Sequence, residues 1–74
     1  MAQDGGDIRK KFGNRIKELR AQKDISSQMD LGNKAKMDRT YVGGIERGER
    51  NPSLKNIEKL AKALKVTLEE LFRF

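Results

Sequence analysis

At 74 residues, the chain is one domain or less, and a domain of this size buries only roughly 60% of the surface that its unfolded chain exposes. It has no cysteine and no histidine, which excludes disulfides, thiolate metal sites and imidazole-based proton transfer. A net charge of +6, from 17 Lys and Arg against 11 Asp and Glu, favours a polyanionic partner such as nucleic acid or an anionic membrane surface. The excess is uneven: residues 8–23 carry seven basic groups against Glu18 alone, while residues 27–53 carry five basic and four acidic groups. The longest apolar run is two residues, so neither a membrane span nor a signal-peptide core is expected. The expectation is a cytoplasmic protein with no membrane partner.

The opening MAQDGG (1–6) is small and polar and is expected to be a disordered tail, leaving residues 7–74 as the domain. Asp7 suits the start of an amphipathic helix over roughly 7–23, in which Phe12, Ile16 and Leu19 recur at helical spacing. DISS (24–27) connects it to a second helix, opened by Ser27-Gln-Met-Asp30, an imperfect capping box because Asp is shorter than Glu. Leu31 and Ala35 are its apolar positions. Met37 marks a tight turn, and Asp38 can cap a third helix that runs to about Arg47 and stops at Gly48. After the loop GERNPS, Ser53 can cap a fourth helix, with Leu54, Ile57, Leu60, Ala61 and Leu64 as a continuous apolar stripe. Thr67-Leu-Glu-Glu70 is a complete capping box for a last short helix. With five helices, no strand candidate and no internal repeat, the fold is all-α.

The third helix raises a question, because Gly43 and Gly44 lie near its middle and each interior glycine costs about 1 kcal/mol relative to alanine. On a helical wheel, Val42 and Ile45 share one side, with Asp38 and Tyr41 near them. Arg39, Thr40, Gly43, Gly44 and Arg47 fill the opposite arc. The glycines are therefore expected on the exposed face, where absent side chains let the backbone approach a large partner closely. A helix seated in the DNA major groove has that requirement. The alternative is a weak, partly loop-like segment. A helix over 28–35, a turn of about three residues and a helix over 39–47 make a helix-turn-helix unit, which favours the first reading.

The run QMDLGNKAKMDRTYVGGIERGERNPSLKNIEKLAKAL (28–64) resembles the lambda-repressor/Cro-like helix-turn-helix family, and DRTYVGGIERGERNPSL within it most resembles the small restriction–modification controller regulators. The resemblance spans roughly residues 9–72. It implies a compact five-helix DNA-binding domain that acts as a homodimer on a two-fold-related double-stranded operator. By the same resemblance, Arg39, Thr40 and Gly44 face base edges, while Ser27, Gln28, Arg47, Arg50, Asn51 and Ser53 lie at phosphate-contacting positions. Arg20 and Glu46 match a structural ion pair. Three positions depart from the family pattern: KDISSQ holds one extra residue before Gln28, Gly32 replaces alanine, and Lys36 replaces a turn glycine. A left-handed lysine there costs roughly 1 kcal/mol.

Arg39 is the prime candidate for sequence reading, since a guanidinium can engage O6 and N7 of guanine together. Tyr41 is expected to pack rather than to touch DNA. The lysines of the fourth helix are expected to be a solvated face. Leu71, Phe72 and Phe74 are many apolar groups for a chain end, and a two-fold interface through them would bury them. A protein-interaction module of antitoxin or adaptor type is the competing function. The polar, glycine-relieved arc of the third helix suits a groove better than an apolar hot spot. No nucleophile–base pair suggests an enzyme, and no cofactor, metal or small-molecule ligand is indicated.

Overall fold

A computed structural model describes residues 7–74; the expected N-terminal tail, 1–6, lies outside the described residues. Five helices follow one another: α1 (Ile8–Gln22), α2 (Gln28–Ala35), α3 (Arg39–Glu46), α4 (Leu54–Leu64) and α5 (Leu68–Leu71). Each begins where a short polar side chain can satisfy an orphan amide. Asp7 accepts from the amide of Arg9, Ser27 from Asp30, Asp38 from Thr40 and Ser53 from Asn56. Thr67 and Glu70 form the reciprocal box at α5.

Apolar residues from every helix converge on one core. Ile16, Leu31, Val42, Ile45, Leu60, Leu64 and Leu71 are its most deeply buried members, closed at the sides by Phe12, Leu19 and Ile25. α3 packs against both α1 and α2, and α4 backs α2. The third helix is thus clamped from two sides before any partner is present.

Three features of the connections differ from the family pattern in a way the geometry explains. The longer first connector turns through Asp24, which takes a left-handed φ of 58°. Lys36 ends α2 in the left-handed region (φ 59°, ψ 49°), as expected for a turn position that usually holds glycine. There the chain wraps back so tightly that the amide of Met37 donates to Gly32 O at 2.8 Å. A Cβ on residue 32 would stand 2.5 Å from Met37 O, so this turn admits glycine and not the family's alanine.

Two apolar expectations need correction. Leu54, placed on the stripe of α4, is 85% exposed, because it is the first residue of the helix and projects past the end of the core. Leu71, expected at an interface between copies, has no exposed surface at all. The four-residue α5 turns it inward against the core, so its own fold consumes it.

Candidate nucleic-acid interface

The outer surface of the domain along α3 is built from exposed Arg39, Thr40 and Arg47, continued by exposed Arg50, Asn51 and Ser53 in the loop before α4. Asp38 sets the start of this surface: its carboxylate accepts from the amide of Thr40 at 2.7 Å, and that amide contact holds its pKa below the ordinary aspartate value. Arg39 and Thr40 consequently project from a capped first turn, the end from which a recognition helix reads bases.

Glu46 closes the other end of α3. It is 3% exposed and is satisfied by three donors. Arg20 donates through Nε at 2.8 Å and Nη2 at 3.1 Å, and Gln28 donates through Nε2 at 3.0 Å. Arg20 also donates to Ile25 O. A carboxylate this buried is tolerable only when paired and hydrogen-bonded. One network therefore ties α1, the first residue of α2 and α3 together. Gln28 in the free protein is a brace to α3, and Glu46 withdraws its charge from the surface that the other residues present.

The glycines lie elsewhere than the wheel suggested. Gly43 and Gly44 are both buried, not open on the outer face. They are indeed on the side away from the apolar core, but polar side chains fold over them. A Cβ on Gly43 would meet Gln28 Oε1 at 2.8 Å and Arg47 Nη1 at 3.1 Å. A Cβ on Gly44 would meet Arg50 Cγ at 2.7 Å. In the free protein, the missing side chains make room for neighbours from α2 and from the loop.

Arg47 pairs with Glu49 at 3.1 Å, which raises the arginine pKa and lowers that of the glutamate, chiefly through their shared hydrogen bond. Both are well exposed, and such pairs are worth little in water. Ser27 and Ser53 accept backbone amides as caps, which uses an acceptor lone pair and leaves each O–H as a donor. Tyr41 packs beside the core, and its hydroxyl accepts from Asn56 Nδ2 at 3.2 Å. Asn56 carried no signal in the sequence, since nothing local links it to Tyr41.

A helix-turn-helix family model matches residues 16–71, which includes α2, α3 and the turn between them. The chain belongs to the lambda-repressor/Cro-like helix-turn-helix family. Among curated relatives, it is 47% identical over 66 residues to the control protein C.MunI of Mycoplasma sp, covering 89% of each chain. It is 44% identical to the control protein C.BamHI of Bacillus amyloliquefaciens, covering 92% of this chain and 84% of the relative. Among solved structures, the restriction-modification controller protein C.AhdI from Aeromonas hydrophila superposes with a TM-score of 0.83 at 51% identity, over 88% of this chain and 97% of the other. The described residues contain no helix long and apolar enough to cross a membrane.

Proposed function

We propose that the chain is a sequence-specific regulator of transcription that binds double-stranded DNA as a homodimer, with α3 seated in the major groove. One observation carries this reading: Arg39 and Thr40 stand exposed on a capped helix, while the one acid within α3, Glu46, is turned inward and neutralised. Arg39 takes a guanine edge, and Thr40 reads beside it. Arg47, Arg50, Asn51, Ser53 and the α2 start at Ser27 and Gln28 line the flanks where phosphates pass.

Self-association would set two copies of α3 about 34 Å apart, one turn of duplex. With Leu71 consumed by the core, the surface for it shifts to Leu54, Leu68 and Phe72, which are 85%, 50% and 43% exposed. Leu54, Ile57, Leu68 and Phe72 line one shallow depression. Phe72 also stacks on Phe12 with ring centroids 5.2 Å apart, which fixes its ring in place. Phe74 borders the patch at 6.1 Å from Phe72.

Selection from random double-stranded genomic fragments at two salt concentrations tests the reading. A two-fold-symmetric site, with binding that weakens as salt rises, is the expected result. Weak binding without sequence preference would overturn it and point to a protein-interaction module on the same fold.

A further inference from the structure

Where the end of α2 meets the second half of α4, four lysines surround one depression. Lys34 and Lys36 border it from α2 and its cap, Lys59 and Lys62 border it from α4, and Ala35 and Ala63 complete its lining. All four lysines are exposed, Ala63 is half-buried and Ala35 is buried. None of the four forms an ion pair among the described residues. Asp30 and Glu58 stand four residues before Lys34 and Lys62, the spacing at which helix ion pairs form. Neither acid closes on its lysine.

Stability does not account for this grouping. Lys36 holds a left-handed backbone (φ 59°), which costs a side chain about 1 kcal/mol relative to glycine. Its charge at the carbonyl end of α2 recovers about 0.3–1 kcal/mol through the helix dipole, so the two effects nearly cancel. Lys59 and Lys62, three apart on one helix face, repel one another by about 0.2–0.5 kcal/mol. Four like charges around one hollow therefore leave the free fold slightly worse off, and an anionic group placed between them relieves the repulsion. The hollow also lies back from the proposed phosphate flank. That flank draws on the starts of α2 and α4, at Ser27, Gln28 and Ser53, whereas Lys34 and Lys62 lie roughly 10–14 Å farther along those helices.

We propose that this hollow is a docking surface for an acidic segment of another protein, separate from the α3 surface. Carboxylates of the segment sit between lysines of the two helices, and one apolar side chain among them covers Ala35 and Ala63. The two alanines favour a polypeptide over a nucleic acid, since a row of phosphates brings charge but no apolar side chain to lay on their methyl groups. Lys36 sets this chain apart, because the family pattern has a turn glycine there, and its charge closes the hollow on the α2 side. Each exposed pair is weak and screened by salt, so the contact is transient and salt-sensitive. The surface shares no residue with the proposed DNA contacts and stands without them.

A fluorescent peptide of glutamates flanking a single leucine serves as the probe, with anisotropy reporting affinity and amide chemical shifts reporting place. Binding to the wild-type protein should shift amides of residues 34–36 and 59–63 and weaken as salt rises. Lys59→Gln/Lys62→Gln should weaken it about 2- to 30-fold. Lys11→Gln/Lys17→Gln, which removes the same charge from exposed positions on α1, should change it far less. Lys36→Gly relieves the left-handed backbone, so its melting temperature should hold or rise while peptide affinity falls, which separates lost docking from lost folding. Equal losses from the α1 and α4 pairs would overturn the proposal by showing attraction to net charge alone, as would a wild-type protein that does not bind the peptide. The same variants are titrated with a duplex of random sequence. A larger loss of duplex affinity from the α4 pair than from the α1 pair would assign the hollow to DNA and overturn the proposal too. A wild-type protein that selects no operator would defeat the DNA-reading proposal and leave this one intact.

Discussion

Arg20 on α1 and Glu46 at the end of α3, 26 residues apart in the chain, meet in a doubly hydrogen-bonded pair. Removing Arg20 would strand a buried carboxylate with only Gln28 as partner. Breaking a buried pair in this way costs about 3–5 kcal/mol. The Arg20 side chain keeps 17% of its surface exposed, which places Arg20→Ala at about 3 kcal/mol. Urea unfolding should show a midpoint lowered accordingly. Glu46→Gln, which removes the buried charge and keeps an acceptor, should lose less.

Gly13 and Gly43 give opposite expectations for the same substitution. A Cβ on Gly13 would press on the backbone carbonyl oxygens of Ile45 and Glu46, the latter at 2.7 Å, and backbone cannot swing aside. Gly13→Ala should destabilise by about 1–3 kcal/mol. At Gly43 the obstacles are the ends of two flexible side chains, Gln28 and Arg47. Gly43→Ala gains up to about 1 kcal/mol of helix propensity, offset by disturbance of the Gln28 brace, and its melting temperature should stay close to wild type.

Association and folding are expected to separate on two leucines. Leu54→Glu alters a side chain with almost no contacts of its own, so the melting behaviour of the monomer should persist while sedimentation shows loss of the dimer. Leu71→Ala removes a fully buried side chain and should cost about 2–5 kcal/mol of stability. Equal effects of both variants on folding would refute the assignment of Leu54 to an interface.

Acid should unravel the helix starts first. Asp7 is held at about 2, mainly by the side-chain bond from Arg9; Asp38 and Glu70 are lowered mainly by backbone amides. Each pKa is depressed on folding, so the stability it contributes is complete above the unfolded value. It is lost as pH falls through the folded value. Melting temperature should therefore be level between about pH 5 and pH 8, where no histidine exists to titrate, and should decline below about pH 4.5. Asp38→Asn keeps a good cap without the titration and should flatten part of that acid slope.

Helix starts were legible because capping is a conversation between residues two or three apart, and Asp7, Ser27, Asp38, Ser53 and Thr67 all speak it within their own segment. Core positions of α1 were legible from periodicity for the same reason. Leu71 and Leu54 were not, since a helix of four residues has no period to read and the first residue of a longer one can lie beyond the core. The glycines of α3 were misplaced because a wheel ranks faces by apolarity. It does not show that Arg50, arriving from a loop, or Gln28, from another helix, will lie across them. Tyr41 and Asn56 likewise meet only once α3 and α4 are packed.

At Gly13 the backbone of α1 lies directly against the carbonyls of Ile45 and Glu46 at the end of α3, with no side chain of residue 13 to act as a cushion there. With that close contact at one end, α3 has little freedom to roll or slide, and on the proposed reading it would have little when a half-site deviates from ideal. Adaptation falls to the side chains at its rim. If α3 reads DNA as proposed, a lineage carrying this chain would acquire new operators by altering positions such as 39 and 40 while the frame beneath stays unchanged. Retargeting and foldability would evolve on separate residues.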